Sequence, residues 1–381
     1  MNKIFEKGGK LHFLHSTVDA FETFLRVPGT VALKGAHVRD SIDLKRVMII
    51  AVISVIPAAL FGMWNVGYQH ALAVQGPGAP LDILGNFWFG FLKVLPLYIV
   101  AYGVGLAIEF ASAQIRNEEV NEGYLMSGML IPLIVPVDVP LWMLAVAVAF
   151  AVLFGKEVFG GTGMNIWNPA LLTRAFLFFS YPDHMSGSGS WIALRKGETL
   201  LDGATGATPL SFIGDGMDAL TNAGAQYGTG FWDLFVGTVP GSVGETSVIA
   251  ILLGALILLW TGVASWKIMV STVAGALLVG WLGNVAGATD VPAYMQLVMG
   301  GFAFGAVFMA TDPVTSAQTE CGKWIYGLLV GAICVVVRLF NPGYAEGMML
   351  AILLGNTFAP LIDYVVVSRH TARKAKKVRT A

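Results

Sequence analysis

Charge is what this sequence most lacks. Only 12% of its 381 residues are Asp, Glu, Lys or Arg, against 56% hydrophobic residues, and the mean hydropathy is +0.70. A soluble domain carries roughly 25% charged residues. A core built from a chain of this length cannot enclose so much apolar surface, which excludes an ordinary water-soluble fold. The formal net charge of -1 leaves no case for nucleic-acid binding. Cysteine is nearly absent as well. Cys321 and Cys334 support neither a disulfide framework nor a CxxC metal site, and they give no ground for haem or iron–sulfur ligation. The first 46 residues hold no apolar stretch of the kind that marks a cleaved signal peptide.

What is present is a series of apolar runs. Measured against the roughly 20 residues that cross a bilayer, ten segments fit, at about 47–67, 88–112, 122–136, 139–155, 165–180, 246–263, 267–286, 293–311, 324–340 and 346–367. The third and fifth are short and interrupted by proline, as half-helices that line a site are. The expected fold is all-α and polytopic. Eight Lys and Arg residues precede Val47, and six lie in the tail "SRHTARKAKKVRTA". An even number of crossings then puts both ends in the cytoplasm. The polar connection at 181–245 carries only Arg195 and Lys196 as positive charges. It therefore faces the periplasm if the membrane is a bacterial inner membrane. The expected organisation is a cytoplasmic amphipathic arm (1–46), a first membrane half (47–180), the connection (181–245), a second half (246–367) and a basic cytoplasmic tail (368–381).

The two halves echo each other. "NIWNPALL" from Asn165 is similar to "NTFAPLID" from Asn356, and "IVPV" before the fourth span is similar to "TDPV" before the ninth. Five crossings per half is an odd number, so the halves are expected to be inverted repeats. The alternative is a chance likeness between proline-containing loops.

The connection contains "LLDGATGATPLSF". The pattern Asp-x-x-(Ser/Thr)-x-(Ala/Ser/Thr)-Thr is complete at Asp202, Thr205, Ala207 and Thr208. It resembles the recognition motif of flavin transferases, which attach FMN through its phosphate to the last threonine. A threonine hydroxyl is a weak nucleophile and needs a base and metal from another enzyme. The segment is thus expected to be an exposed, flexible loop, with Gly206 and Ala207 giving clearance, Asp202 and Thr205 recognition, and Pro209 a stiff exit. The alternative is a Gly/Thr-rich turn.

Longer stretches carry a wider resemblance. "HVRDSIDLKRVM", "VNEGYLMSG", "KEVFGGTGMNIWNPALLTRAFLFF", "VPGSVGE", "GGFAFGAVFMATDPV" and "NPGYAEGMMLAILLGNTFAPLIDYVVV" together resemble the NqrB family, part of the Na+-translocating NADH:quinone oxidoreductases (Nqr), from about Asp19 to Ser368. The related RnfD proteins of Rnf complexes usually lack the arm that ends here in "HVRDSIDLKR". The resemblance implies a fold like that of urea and ammonium channels. It also implies covalent FMN on Thr208, a non-covalent riboflavin inside the membrane domain, and ubiquinone as substrate. The other Nqr subunits (A, C, D, E and F) are the implied partners, with a flavin transferase for maturation and membrane lipids around.

Several residues become candidates on that basis. Gly161, Thr162, Asn165 and Asn168 precede a half-helix, where freed N–H groups and amides suit the pyrimidine edge of riboflavin. Close helix packing and a Pro–Asn kink are the alternative. Glu109, Asp312 and Asp363 are intramembrane carboxylates, which are functional candidates by default. The family points to these positions for Na+ handling. A salt bridge to Arg174 or Arg338, or helix capping, is the other reading. Phe304 and Phe308 share a helix face and are either core packing or a hydrophobic constriction on the ion route. For quinone, the family implies a site near the arm, where "VDAFETFLRVPG" from Val18 reads as an amphipathic helix stopped by Pro28; Phe24, Pro28 and Tyr124 fit an apolar groove open to the bilayer, and the family's site also uses a Gly-Gly pair, here at Gly105. The chain departs from the family there, because Gly105 is followed by Leu106 and not by a second glycine. Two other classes fit the same composition. One is a channel without electrons, which leaves the flavin motif without a role. The other is the Rnf-type protein, which works with ferredoxin and NAD+.

Overall fold

The computed structural model describes residues 18, 34–35, 44–76, 82–116, 123–185, 191–195, 197–201, 205–223, 228–341 and 346–380. Within these, the regular structure is helical. Six helical spans are long and apolar enough to cross a membrane. They include α1 (Leu44–Gln75), α2 (Ile83–Arg116) and α4 (Leu141–Gly155), the last continued by a 3-10 turn to Phe159. The shorter apolar helices α3 (Tyr124–Ile134), α5 (Pro169–Ser180) and α6 (Val248–Thr261) lie between the long ones, which resume with α7 (Trp266–Val285), α8 (Glu320–Phe340) and α9 (Met348–Thr380). One further crossing, between α7 and α8, is broken into Met295–Val298, Phe302–Phe304 and a π turn at Gly305–Met309.

The brevity of the third and fifth crossings is therefore real. The break in the eighth was not expected from its unbroken apolar run. Met299 is extended and Gly300 takes φ +60°, a conformation open to glycine at little steric cost. Carbonyls freed by such a break must find donors inside the protein. Arg338 of α8 supplies them. Its Nη1 donates to the Gln296 carbonyl at 2.5 Å and its Nη2 to the Met299 carbonyl at 2.9 Å.

Neighbour relations recur between the halves. α2 packs on α4 and α4 on α5; in the second half, α7 packs on α8 and α8 on α9. α1 and α6, the first helices of each half, pack on each other. They run in opposite senses, because Val47, Met48 and Ala51 at the start of α1 share a cavity with Leu258, Val263 and Ala264 at the end of α6. The first helices of the two halves are thus antiparallel, as inverted repeats require. The "IVPV" and "TDPV" segments both follow the third crossing of their half, after α3 and after the π turn. The other echo does not fall at equivalent places: Asn168 and Pro169 open α5, whereas Asn356 and Pro360 lie inside the unbroken α9.

Close approach relies on small residues, as bilayer helix contacts do. A Cβ at Gly90 would overlap the Met63 carbonyl between α2 and α1, and one at Gly331 would overlap the Thr272 carbonyl between α8 and α7. The outward face is apolar. On α6, Leu252, Leu256 and Trp260 form an exposed stripe while Ile251, Ala255 and Leu258 are buried, the pattern of a helix with one face to lipid. The chain is a multi-pass membrane protein. The side at which α1 begins and α9 leaves is called here the tail side, and the side bearing 181–245 the loop side. The basic tail is a helical continuation of α9 to Thr380.

The connection also differs from a free loop. Leu210, Ile213, Leu220, Leu234 and Val239 form a second apolar cluster with Val248, Val291, Met295, Val298 and Met299. It docks on the break of the eighth crossing, where Leu210 lies against Gly300.

Candidate functional site

The flavin-motif residues that the structure describes run into a short 3-10 helix, Pro209–Asp215, which begins immediately after Thr208. Gly206 and Ala207 are buried, and Thr205 and Thr208 are half-buried. Thr205 Oγ1 accepts from the Ala207 N–H at 3.2 Å, and Thr208 Oγ1 lies 3.3 Å from Ser211 Oγ. The Thr208 hydroxyl is thus presented from the rim of a packed cluster. Leu210 and Ile213 cause this, because their side chains have an apolar surface to cover. Asp202 lies outside the described residues. The connection is pinned to α1 as well: the Leu201 N–H donates to the Ala73 carbonyl at 3.1 Å, and His70 Nε2 meets Glu198 Oε2 at 2.7 Å. The His70 bond, then the Arg195 N–H, hold the Glu198 carboxyl below its ordinary pKa.

A cavity opens on the tail side between the halves. Thr162, Asn165, Asn168, Asp312 and Phe308 are in its wall, with Lys156 and Ser127. Local geometry explains how they meet. Lys156 ends α4, and Gly160, Gly161 and Gly163 then take left-handed φ of +115°, +90° and +89°. That turns the chain back so that Asn168 caps α5, its Oδ1 accepting from the Ala170 N–H at 2.9 Å, with Pro169 in the first turn. The Asn168 amide then donates to Asp312 Oδ2 at 3.1 Å. Asp312 itself closes the eighth crossing, accepting from the Val314 N–H at 3.0 Å and from Thr315 Oγ1 at 3.1 Å. It is both a cap and a cavity wall. Gly161 belongs to the turn and not to the wall. The cavity holds about 80 Å³, room for on the order of five waters. That suits a partly hydrated cation or the polar edge of a ring.

Glu109 lies behind this wall, 6% exposed. Neither it nor Asp312 nor Asp363 pairs with Arg174 or Arg338, as the sequence had suggested. The partner of Glu109 is Lys156, buried at 3%. The lone Lys156 after the apolar run of α4 was the missed signal, since an ionisable group at the edge of a span is itself a functional candidate. Asp363 is elsewhere. It caps α8 from α9, accepting from the N–H groups of Gln318 at 2.7 Å and Thr319 at 3.0 Å.

Phe304 and Phe308 are buried with ring centroids 5.0 Å apart. Phe308 reaches the cavity; Phe304 sits one turn deeper against Gly244, which Leu133 also meets. One turn beyond that, Gly301 makes room for the Glu245 carboxylate. Arg174 of α5, 2% exposed, binds Glu245 Oε1 at 2.6 Å and also Glu346 Oε2. This triad joins α5, the segment before α6 and the approach to α9, and sequence reading missed it. Of the quinone candidates, Tyr124 and Gly105 are brought together. The Tyr124 ring fills the place of a Gly105 Cβ, and its hydroxyl donates to the Ala101 carbonyl at 2.8 Å. The arm helix, apart from Val18, and with it Phe24 and Pro28, lies outside the described residues.

Comparison with known proteins adds to this geometry. The family described as NQR2, RnfD, RnfE matches residues 31–372. The B subunit of the Na(+)-translocating NADH-quinone reductase of Ectopseudomonas mendocina (strain ymp) is 44% identical, covering 97% of this chain and 96% of that protein. The proteins of the same name from Stutzerimonas stutzeri (strain A1501) and Klebsiella pneumoniae (strain 342) are 43% and 42% identical, with coverage of 97% and 98% of this chain and 96% and 97% of theirs.

Proposed function

Because this chain belongs to the NQR2, RnfD, RnfE family, we propose that it works as the membrane-embedded B subunit of a Na+-translocating NADH–quinone reductase. Electrons from NADH reach it through partner subunits and leave to ubiquinone, and Na+ crosses from cytoplasm to periplasm. The near full-length likeness to proteins of that name supports this reading. In it, the tail side is cytoplasmic and the loop side periplasmic, in a bacterial inner membrane. The other Nqr subunits (A, C, D, E and F) surround the chain, and a flavin transferase esterifies Thr208 with FMN.

The observation that carries the membrane part is the convergence of Thr162, Asn165, Asn168 and Asp312 on one cavity, with Glu109 and Lys156 behind and beside it. These residues suit riboflavin. Thr162 offers a hydroxyl, Asn165 and Asn168 offer amides, and the left-handed glycines free backbone groups around them. Bound there, the ring would supply one- and two-electron transfer. The chain's own residues do the rest. Asn168 ties the site to Asp312, so a change at one is felt at the other. Phe304 and Phe308 close the route beyond the cavity to water and ions. Glu109 and Asp312 are stations for the cation, with Asp363 further out on the same side.

Asn168→Leu tests the cavity reading. The variant loses the α5 cap, worth about 1 kcal/mol, and the amide bond to Asp312. Flavin released by mild denaturation of the purified complex is expected to lose its riboflavin component while the protein-bound FMN stays. Retention of full riboflavin would place that flavin elsewhere.

A further inference from the structure

Lys156 has a position that neither electron transfer nor the flavin explains. Lys156 is in the cavity wall, whereas Glu109 is not. The two side chains are in contact and both are buried. Lys156 therefore links the cavity wall to Glu109. Among the described residues the Glu109 carboxylate is only half satisfied: Oε1 meets the ammonium, and Oε2 is buried with no hydrogen-bond partner. A buried carboxylate oxygen without a donor is costly, and the cost is relieved by a cation. The ammonium has an aromatic neighbour while it holds Glu109, since the Tyr124 ring centroid is 5.9 Å from Nζ, within reach of a cation–π contact. A lysine head is a compact point charge on a flexible stem, and so resembles a small monovalent cation in what it offers a carboxylate.

We propose that Lys156 is an internal competitor for cation binding at Glu109. Its ammonium holds the carboxylate when no Na+ is there. A Na+ arriving through the cavity takes Glu109, with Oε2 as its first new ligand, as the ammonium moves toward Tyr124. No bond is made or broken; one cation replaces another at the carboxylate. The device leaves the Glu109 carboxylate with a cation at every stage and ties the affinity for Na+ to where the lysine rests, since the displaced ammonium and the arriving Na+ repel each other. It deepens the proposed function and rests on its reading of Glu109 as a station for Na+.

The test uses the intact complex and the Na+ dependence of its NADH:quinone activity. Lys156→Met is expected to lower the Na+ concentration for half-saturation by about tenfold, the scale of removing one neighbouring charge. Glu109→Gln is expected to raise it. If Glu109→Gln leaves the Na+ dependence unchanged, Glu109 is no station and the inference falls with that reading. If Glu109→Gln raises it but Lys156→Met does not lower it, the competitor role alone is wrong. The wild-type complex gives a readout free of folding effects. Reductive methylation of Lys156, followed by mass spectrometry, is expected to run faster in NaCl than in choline chloride, and equal rates would overturn the proposal.

Discussion

Arg174→Met is expected to remove most of the assembled protein from the membrane. The guanidinium is 2% exposed and is shared by Glu245 and Glu346. Deleting it leaves two carboxylates facing each other in an apolar surrounding. Breaking a buried ion pair from one side costs about 3–5 kcal/mol, a large part of the margin of a typical domain. The loss falls at a junction, because the triad joins α5 of the first half to the segment before α6 and to the approach to α9. The measurement is the melting temperature of the detergent-solubilised complex, together with its yield. Arg174→Met with Glu245→Gln and Glu346→Gln is expected to recover much of the loss, since a neutral cluster has no bare charge to solvate. A triple variant as unstable as the single one would mean that Arg174 acts through packing and not through charge.

Phe304→Ala has the largest expected effect on coupling. The ring is buried against Gly244 and Phe308. Truncating a buried phenylalanine costs about 3–5 kcal/mol and leaves a void. Here the void lies on the line from the cavity toward Gly301 and Glu245. In sealed proteoliposomes the variant is expected to oxidise NADH at a substantial rate while the Na+ gradient collapses within the time that wild type sustains it. A variant that holds the gradient as wild type does would show that Phe304 is packing alone.

Hydropathy alone made the ten crossings legible, and proline with length made the short third and fifth legible. These are local properties, recorded in consecutive residues. The break of the eighth crossing was hidden because Gly300 and Gly301 sit in an unbroken apolar run, and the donor that makes the break tolerable, Arg338, comes from another helix. Pairings were hidden for the same reason. Lys156 meets Glu109 across 47 positions, and Arg174 meets Glu346 across 172; only the packed halves bring them together. Asp363 reads as an intramembrane carboxylate in sequence, and the N–H groups of Gln318 and Thr319 that it caps lie 45 and 44 positions away. The docking of Leu210 and Ile213 was hidden by the polar residues just before them. In contrast, the grouping of Thr162, Asn165 and Asn168 was foreshadowed, since glycines before a capped half-helix mark a place where backbone is free to meet a ligand, whereas Asp312 joins them from the other half of the chain, which no local signal shows.

A flavin bound to Thr208 is what separates an electron carrier from a channel of the same fold. The most direct measurement is flavin fluorescence in a denaturing gel, with wild type and Thr208→Ala each coexpressed with a flavin transferase. Among the described residues the hydrogen-bond partner of Thr208 Oγ1 is Ser211 Oγ, at 3.3 Å, so its removal is expected to leave the fold in place. The proposed function predicts a fluorescent wild-type band and a dark Thr208→Ala band of equal protein. A dark wild-type band beside a labelled positive control would contradict it, and the chain would then be a channel or transporter that works without electrons.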